Sequence, residues 1–477
     1  MSEEIAAYPT APVALILSVP LTFALFSAFP PHRAAFASLL GAALLLPVGY
    51  GWQLPGVTFL DKETIPLLSA ILACLLTAPR EFRHLRLQGW TLGLVAAIAA
   101  SSMATALTNG DDYSFGGAFM QGLTLWDGVG LLRERLFQIV LPFLLGRMLI
   151  RDVRQLEQML RALAFGFLVY SLPMLWEVRM SPQLHNTVYG YLPYSFAQQV
   201  RAGGFRPVVF VGHGLPLAIM TSFAVLASAI LWRRRRKIGG LPAATVTLYL
   251  GAVVALCKTL SAVLYASAGT AAGFFASAKT QLRAGVAIAC IALAYPLLRT
   301  LDVFPTAVLT EISDSASKDR SESLAFRFEN EDILLKHAWE RPLFGWGGYG
   351  RNRVLNEEGT DTSVTDGFWI ILIGQLGVVG FASVFGLMLL PIFQCGRAVR
   401  NVGSGSDRRM LASCALLIAL NWADSLPNAM SGGLMMVFAT GAFSGVVETY
   451  QTARATRPQP KKAATPLIGA LPALPGR

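Results

Sequence analysis

The chain has 477 residues, of which 54% are hydrophobic and only 14% charged, with a mean hydropathy of +0.52. Soluble domains carry roughly a quarter charged residues, so a water-soluble globular protein is excluded and a polytopic helical membrane protein is expected. The net charge of +11 reads as basic loops facing anionic lipid rather than as a nucleic-acid-binding surface.

The first apolar run, Ala11–Phe29, follows an acidic Met-Ser-Glu-Glu start without a basic n-region, so it reads as a retained span rather than a cleavable signal. Spans are then expected near 11–30, 34–54, 64–78, 89–107, 131–150, 157–177, 208–232, 240–257, 259–278, 284–300, 367–393, 410–423 and 433–450, about 12–13 in all. The stretch 240–278 also fits one re-entrant hairpin. The chain divides into a membrane bundle over 1–300 with a loop at 178–207, a large loop over 301–366, C-terminal spans over 367–450 and a basic, disordered tail over 451–477.

Lys and Arg give the orientation. Placing Arg233-Arg234-Arg235-Arg236-Lys237 inside puts most of the basic residues of the short loops on that side. The segments 108–130, 178–207 and 301–365 then face outward, on the extracytoplasmic side. The five cysteines, Cys74, Cys257, Cys290, Cys395 and Cys414, lie in or beside apolar runs without metal-ligand spacing and read as small core residues. No metal site is expected: the carboxylates Asp111, Asp112 and Asp127 match no metal motif.

In the second outer segment, Arg201 and Arg206 precede a span and His213 lies a few residues inside it. A histidine in an apolar run is costly unless it faces a cavity or a partner. It reads either as a site residue or as a packing residue bonded to a neighbouring carbonyl.

The long outer segment is helical from about Ser323 to Arg341, with Leu324, Phe328, Leu335 and Trp339 on one stripe and Pro342 ending it. Gly345, Gly347, Gly348 and Gly350 then form an irregular turn interleaved with Phe344, Trp346 and Tyr349. Such aromatics anchor a loop at the membrane interface or stack on sugar rings. Asp366 falls just before an almost uncharged span, as a helix N-cap, a proton acceptor or both. Arg327, Arg351 and Arg353 belong to the same loop. For Arg327 the plain alternative is a surface pair with Glu331. Arginines suit a pyrophosphate through their fixed multi-donor geometry.

The run R-F-E-N-E-D-I-L-L-K-H-A-W-E-R-P-L-F-G-W-G, followed after a gap by D-G-F-W-I-I-L-I-G-Q-L-G-V-V-G, resembles the O-antigen ligase and polymerase superfamily. The resemblance implies an all-α membrane glycosyltransferase fold of the GT-C-like type. It also implies transfer of a glycan from a polyprenyl-pyrophosphate carrier to a glycan or lipid acceptor hydroxyl, with no cofactor. Arg327 matches the loop arginine that binds pyrophosphate, and Arg201 or Arg206 the second-loop arginine. Arg351, Arg353, Trp346, Tyr349 and His213 complete the expected substrate-binding set. The ligase's catalytic histidine falls on Asp366, a weaker base by its ordinary pKa of about 3.9. That departure favours a polymerase-like member, with a transporter or a non-catalytic envelope-polysaccharide component as the rival readings.

Overall fold

The computed structural model describes residues 7–452 except 55, 57, 86, 88, 116, 202, 317 and 430–432. The acidic N-terminal residues and the basic tail beyond Thr452 therefore lie outside the described residues. The chain is all-α: helix makes up 72% of it, and strand pairing among the described residues is limited to short two-stranded ladders and isolated bridges.

The helices follow in order: α1 (Thr10–Ala28), α2 (Pro31–Leu45), α3 (Thr64–Thr77), α4 (Gly89–Thr108), α5 (Leu125–Arg135), α6 (Leu141–Leu149), α7 (Val153–Met180), α8 (Leu184–Tyr189) and α9 (Gly214–Arg233). They continue with α10 (Ala243–Leu256), α11 (Leu260–Phe275), α12 (Ala278–Thr300), α13 (Thr306–Ala316), α14 (Lys318–Ala338), α15 (Phe368–Asn401), α16 (Gly405–Asp424) and α17 (Leu434–Thr452). Each apolar run expected as a span contains a helix, but the one expected over 34–54 stops at Leu45 and the one expected over 208–232 starts only at Gly214. One of them, 131–150, is built from the end of α5, a π-helical turn at Leu136–Val140 and α6. By length and composition, α1, α4, α7, α9, α12 and α15 are able to cross a membrane.

Packing explains the composition. Helix α9 is apolar all round because it is buried on nearly all sides. The outer helices instead expose large apolar residues, among them Ile16, Leu17 and Leu21 of α1, Leu75 and Leu76 of α3, and Ile291 and Leu297 of α12. An apolar surface spread over several helices is costly in water and matches a hydrocarbon surrounding.

Two structured pieces lie between α12 and α15. Helices α13 and α14 form the first, and α14 ends at Ala338, three residues before the position expected. The glycine-aromatic turn forms the second and docks on α15, whose backbone breaks at Gly377 (φ 65°, ψ −169°). Trp346 N–H donates to the Gly374 carbonyl at 2.8 Å and Gly347 N–H to that of Gln375 at 2.9 Å. The turn thus satisfies carbonyls that the break leaves free.

Glu331 locks α14 onto the bundle. Its carboxylate accepts from Tyr295 Oη at 2.9 Å, Arg299 Nε at 3.2 Å and Trp369 Nε1 at 3.2 Å. Glu331 is thus paired with Arg299 of α12 and not with Arg327. This clamp sits one helical turn from Arg327 and sets its position.

Candidate functional site

Arg201 and Arg206 flank a two-residue hairpin, Val200–Arg201 against Gly204–Phe205. Arg206 lies across the N-terminus of α9, and glycine is required beneath it: a Cβ on Gly214 would come within 2.1 Å of Arg206 Cδ. A cation at a helix N-terminus is electrostatically unfavourable. Burial and the nearby Arg201 and Arg327 guanidiniums bring Arg206 down to about 10. Its Nε is buried without a hydrogen-bond partner among the described residues, as is Nε2 of Gln199, whose Oε1 accepts from Gly214 N–H at 3.3 Å. Unpartnered donors, excess positive charge and a helix N-terminus together define a place for an anion.

His213 caps α9 from just ahead of the helix rather than from within it. Its Nδ1 accepts from Leu215 N–H at 3.1 Å. Burial and the positive charges of Arg206, Arg201 and Arg327 lower it to about 4. The ring is therefore neutral near pH 7. With Nδ1 accepting, its proton sits on Nε2, which makes His213 a hydrogen-bond donor there rather than a base.

Arg327 comes from α14. Its Nε lies 3.4 Å from Oδ2 of Asp366, and its Nη1 donates to Asn428 Oδ1 at 3.2 Å and to the Pro427 carbonyl at 3.3 Å. Asn428 Nδ2 in turn donates to Asp424 Oδ1 at 3.2 Å. Gly367, not Asp366, is the N-cap of α15, and the Asp366 carbonyl accepts from Ala429 N–H. The segment that follows α16 thus braces both partners of the ion pair.

Two cavities lie beyond His213, which lines the first of them only; the second meets the first at Glu63 and Leu434. One, of about 380 Å³, has mostly apolar walls, with Lys62, Glu63, His213 and Asn421 as its polar groups. Both amide atoms of the buried Asn421 are without partners among the described residues. The other, of about 420 Å³, is polar and lined by Asp61, Glu63, Asp127, Arg133, Glu134 and Tyr349. Glu63 and Leu434 line both cavities. Desolvation at this junction, with Asp61 beside it, raises the Glu63 carboxyl above its ordinary range.

The structure therefore brings together Arg201, Arg206, His213, Arg327 and Asp366, five of the residues singled out in the sequence. It holds the others elsewhere. Arg351 is buried, donates to the Gln121 and Asp111 carbonyls and lies over Tyr113. Arg353 pairs with Asp361 at 3.5 Å and donates to the Ser363 carbonyl. Trp346 is buried, stacked on His337 with centroids 4.3 Å apart, and Arg341 lies over its ring. Tyr349 is exposed at the mouth of the polar cavity, with its hydroxyl toward Asp127. Among the described residues no group of three His, Cys, Asp or Glu side chains is placed to hold a metal.

Sequence reasoning missed Gln199, Glu63, Asn421, Asp424 and Asn428. Asn421 and Asp424 carried a signal, as polar residues at i and i+3 near the end of an apolar run that share one face of α16, and Asn428 follows just beyond the helix. Gln199, at the end of a single 3-10 turn, and Glu63, in the turn before α3, carried none. No protein-family model matches the chain, and no curated protein is found to be similar to it.

Proposed function

We infer that the chain is a membrane glycosyltransferase of the O-antigen ligase or polymerase kind. It moves a glycan from a polyprenyl-pyrophosphate carrier to an acceptor hydroxyl on the extracytoplasmic side, in the assembly of a surface or exported polysaccharide. The observation that carries this reading is the excess positive charge that Arg201, Arg206 and Arg327 impose around His213, the N-cap of α9, with buried donor atoms of Arg206 and Gln199 left unpartnered among the described residues. Such a donor set suits a pyrophosphate.

In the reaction the acceptor oxygen bonds to the anomeric carbon, and the bond from that carbon to the pyrophosphate oxygen breaks. The bonding electrons leave with the polyprenyl pyrophosphate, whose developing charge the three arginines and His213 Nε2–H stabilise. The acceptor's proton goes to a carboxylate. Asp366 is held for that role by Arg327, and Glu63 is a second candidate where the two cavities meet. The apolar cavity suits the first isoprene units and the polar cleft the acceptor glycan.

The test is purified protein in lipid nanodiscs supplied with a polyprenyl-pyrophosphate oligosaccharide and an acceptor, following release of polyprenyl pyrophosphate. It is paired with a deletion strain complemented by wild type, Arg327→Ala or Asp366→Asn. Accumulated lipid-linked glycan and lost polymer are expected in both variants. Full polymer from both overturns the site. Unchanged glycans and precursors on deletion overturn the transferase reading and leave a transporter or a non-catalytic component.

A further inference from the structure

The opposite end of the bundle carries a further cavity, of about 390 Å³, between α9, α11, α12 and α16. Helix α9 links the two ends: it begins at His213 in the candidate site and finishes at Arg233 on the rim of this cavity, about 30 Å away at 1.5 Å per residue. The interior wall is hydrocarbon, formed by Leu226, Ile230, Met410, Leu416, Leu417 and Leu420. The polar groups within it satisfy one another: Ser413 Oγ donates to Gln281 Oε1 at 2.6 Å, and Gln281 Nε2 donates to the Ala272 and Ala276 carbonyls.

The rim is cationic. Arg234 is neutralised there by Glu157 and Asp407, each at 2.7 Å. Arg233 commits Nη1 to the Gly273 and Phe274 carbonyls and keeps its charge. Arg409 is exposed and makes no hydrogen bond or ion pair among the described residues. The Arg233 and Arg409 guanidiniums are close enough to repel one another. An anion between them would relieve that repulsion.

Depth identifies the occupant. From Met410 at the rim to Leu420 at the floor, α16 rises about 15 Å. That is half of a hydrocarbon core about 30 Å thick, the length of one leaflet. A cleft with two arginines at headgroup level and one leaflet of apolar wall beneath them matches one lipid molecule.

We propose that the cleft between α9, α11, α12 and α16 binds an anionic phospholipid, its phosphate between Arg233 and Arg409 and one acyl chain along Leu417 and Ile230. This site is independent of the transferase reading. The bound lipid fills the space between helices that would otherwise leave the buried polar pair Ser413–Gln281 beside a void.

Binding is tested by titrating delipidated protein with phosphatidylglycerol or phosphatidylcholine and counting bound lipids by native mass spectrometry. Wild type is compared with Arg409→Glu and Leu417→Trp, each verified by circular dichroism and size exclusion. Phosphatidylglycerol is expected to bind about fivefold more tightly than phosphatidylcholine, the worth of one arginine at a membrane surface. Arg409→Glu should abolish that preference, and Leu417→Trp should weaken one tight-binding event for either lipid. Equal affinity in wild type, a preference that survives Arg409→Glu, or tight binding untouched by Leu417→Trp overturns the proposal.

Discussion

The backbone N–H of Val378 donates to the carbonyl of Pro342 at 2.8 Å, so a loop residue closes the break inside α15. Gly377 makes this possible. A Cβ there would stand 2.3 Å from the Leu343 carbonyl carbon, and the φ of 65° with ψ of −169° belongs to a region that essentially only glycine adopts. Gly377→Ala is expected to destabilise the protein by about 3 kcal/mol or more through combined strain and overlap. Thermal unfolding followed by size exclusion should show early aggregation. Gly403→Ala, whose Cβ meets nothing within 4 Å, should behave as wild type.

The clamp on Glu331 makes a second prediction. Removing this carboxylate leaves Arg299, Tyr295 and Trp369 without their common acceptor, although Arg299 keeps Asp332 at 2.7 Å. Breaking a buried ion pair costs about 3 kcal/mol. Glu331→Ala should therefore lower the unfolding temperature clearly. It should also reduce transfer activity, because Arg327 loses its fixed position. Asp332→Ala, at an exposed carboxylate, should leave both nearly unchanged.

Arg327 and Asp366 should behave in the opposite way. Their pair is a third exposed at 3.4 Å, and such pairs contribute about 1 kcal/mol or less to stability. Arg327→Ala and Arg206→Ala should keep a near-wild-type unfolding temperature while transfer falls about 100-fold or more. A parallel loss of stability and activity would mean that these arginines hold the fold rather than the substrate.

The identity of the proton acceptor is readable from a pH profile. The Glu63 carboxyl is raised above its ordinary range, so a reaction using it loses rate on the acid side at a higher pH than an ordinary carboxylate imposes. Glu63→Gln should then remove both activity and that acid limb, whereas Asp366→Asn should do so if Asp366 is the acceptor. The comparison needs only initial rates of polyprenyl-pyrophosphate release at each pH.

His213 gives a stability prediction with a definite sign. Its folded value of about 4 lies below the unfolded value of about 6.5, so the unfolded chain binds the proton more tightly. Stability at this residue is complete above about pH 6.5 and is lost as pH falls toward 4, by at most about 1.4 kcal/mol per pH unit before solvent screening. His213→Asn keeps a capping side chain and removes the titration. Unfolding temperatures at pH 7.5 and 5 should therefore lie closer together in the variant than in wild type.

The helices were legible because their signal is local. Apolar runs of 14 to 34 residues announce α1 to α4, α7, α9 to α12 and α15 wherever the chain goes afterward. Pro342 and the glycines after it likewise marked an irregular turn. Their reason was not legible, since it lies in the free carbonyls of Gly374 and Gln375 on another element.

The candidate site divides in the same way. Sequence by itself singled out candidate side chains: arginines and a carboxylate are too polar for a bilayer and had to gather where the apolar runs end. It held no information that separates Arg206 from Arg351, because both are loop arginines beside aromatics. Only the tertiary structure decided that Arg206 lies over the start of α9 with its Nε unpartnered among the described residues, while both Nη atoms of Arg351 are taken up by backbone carbonyls. It also decided that Arg327 meets Asp366 and Asn428. Those pairings depend on how α9, α14 and α16 pack across more than a hundred residues of chain, and periodicity, a property of neighbours, does not encode them.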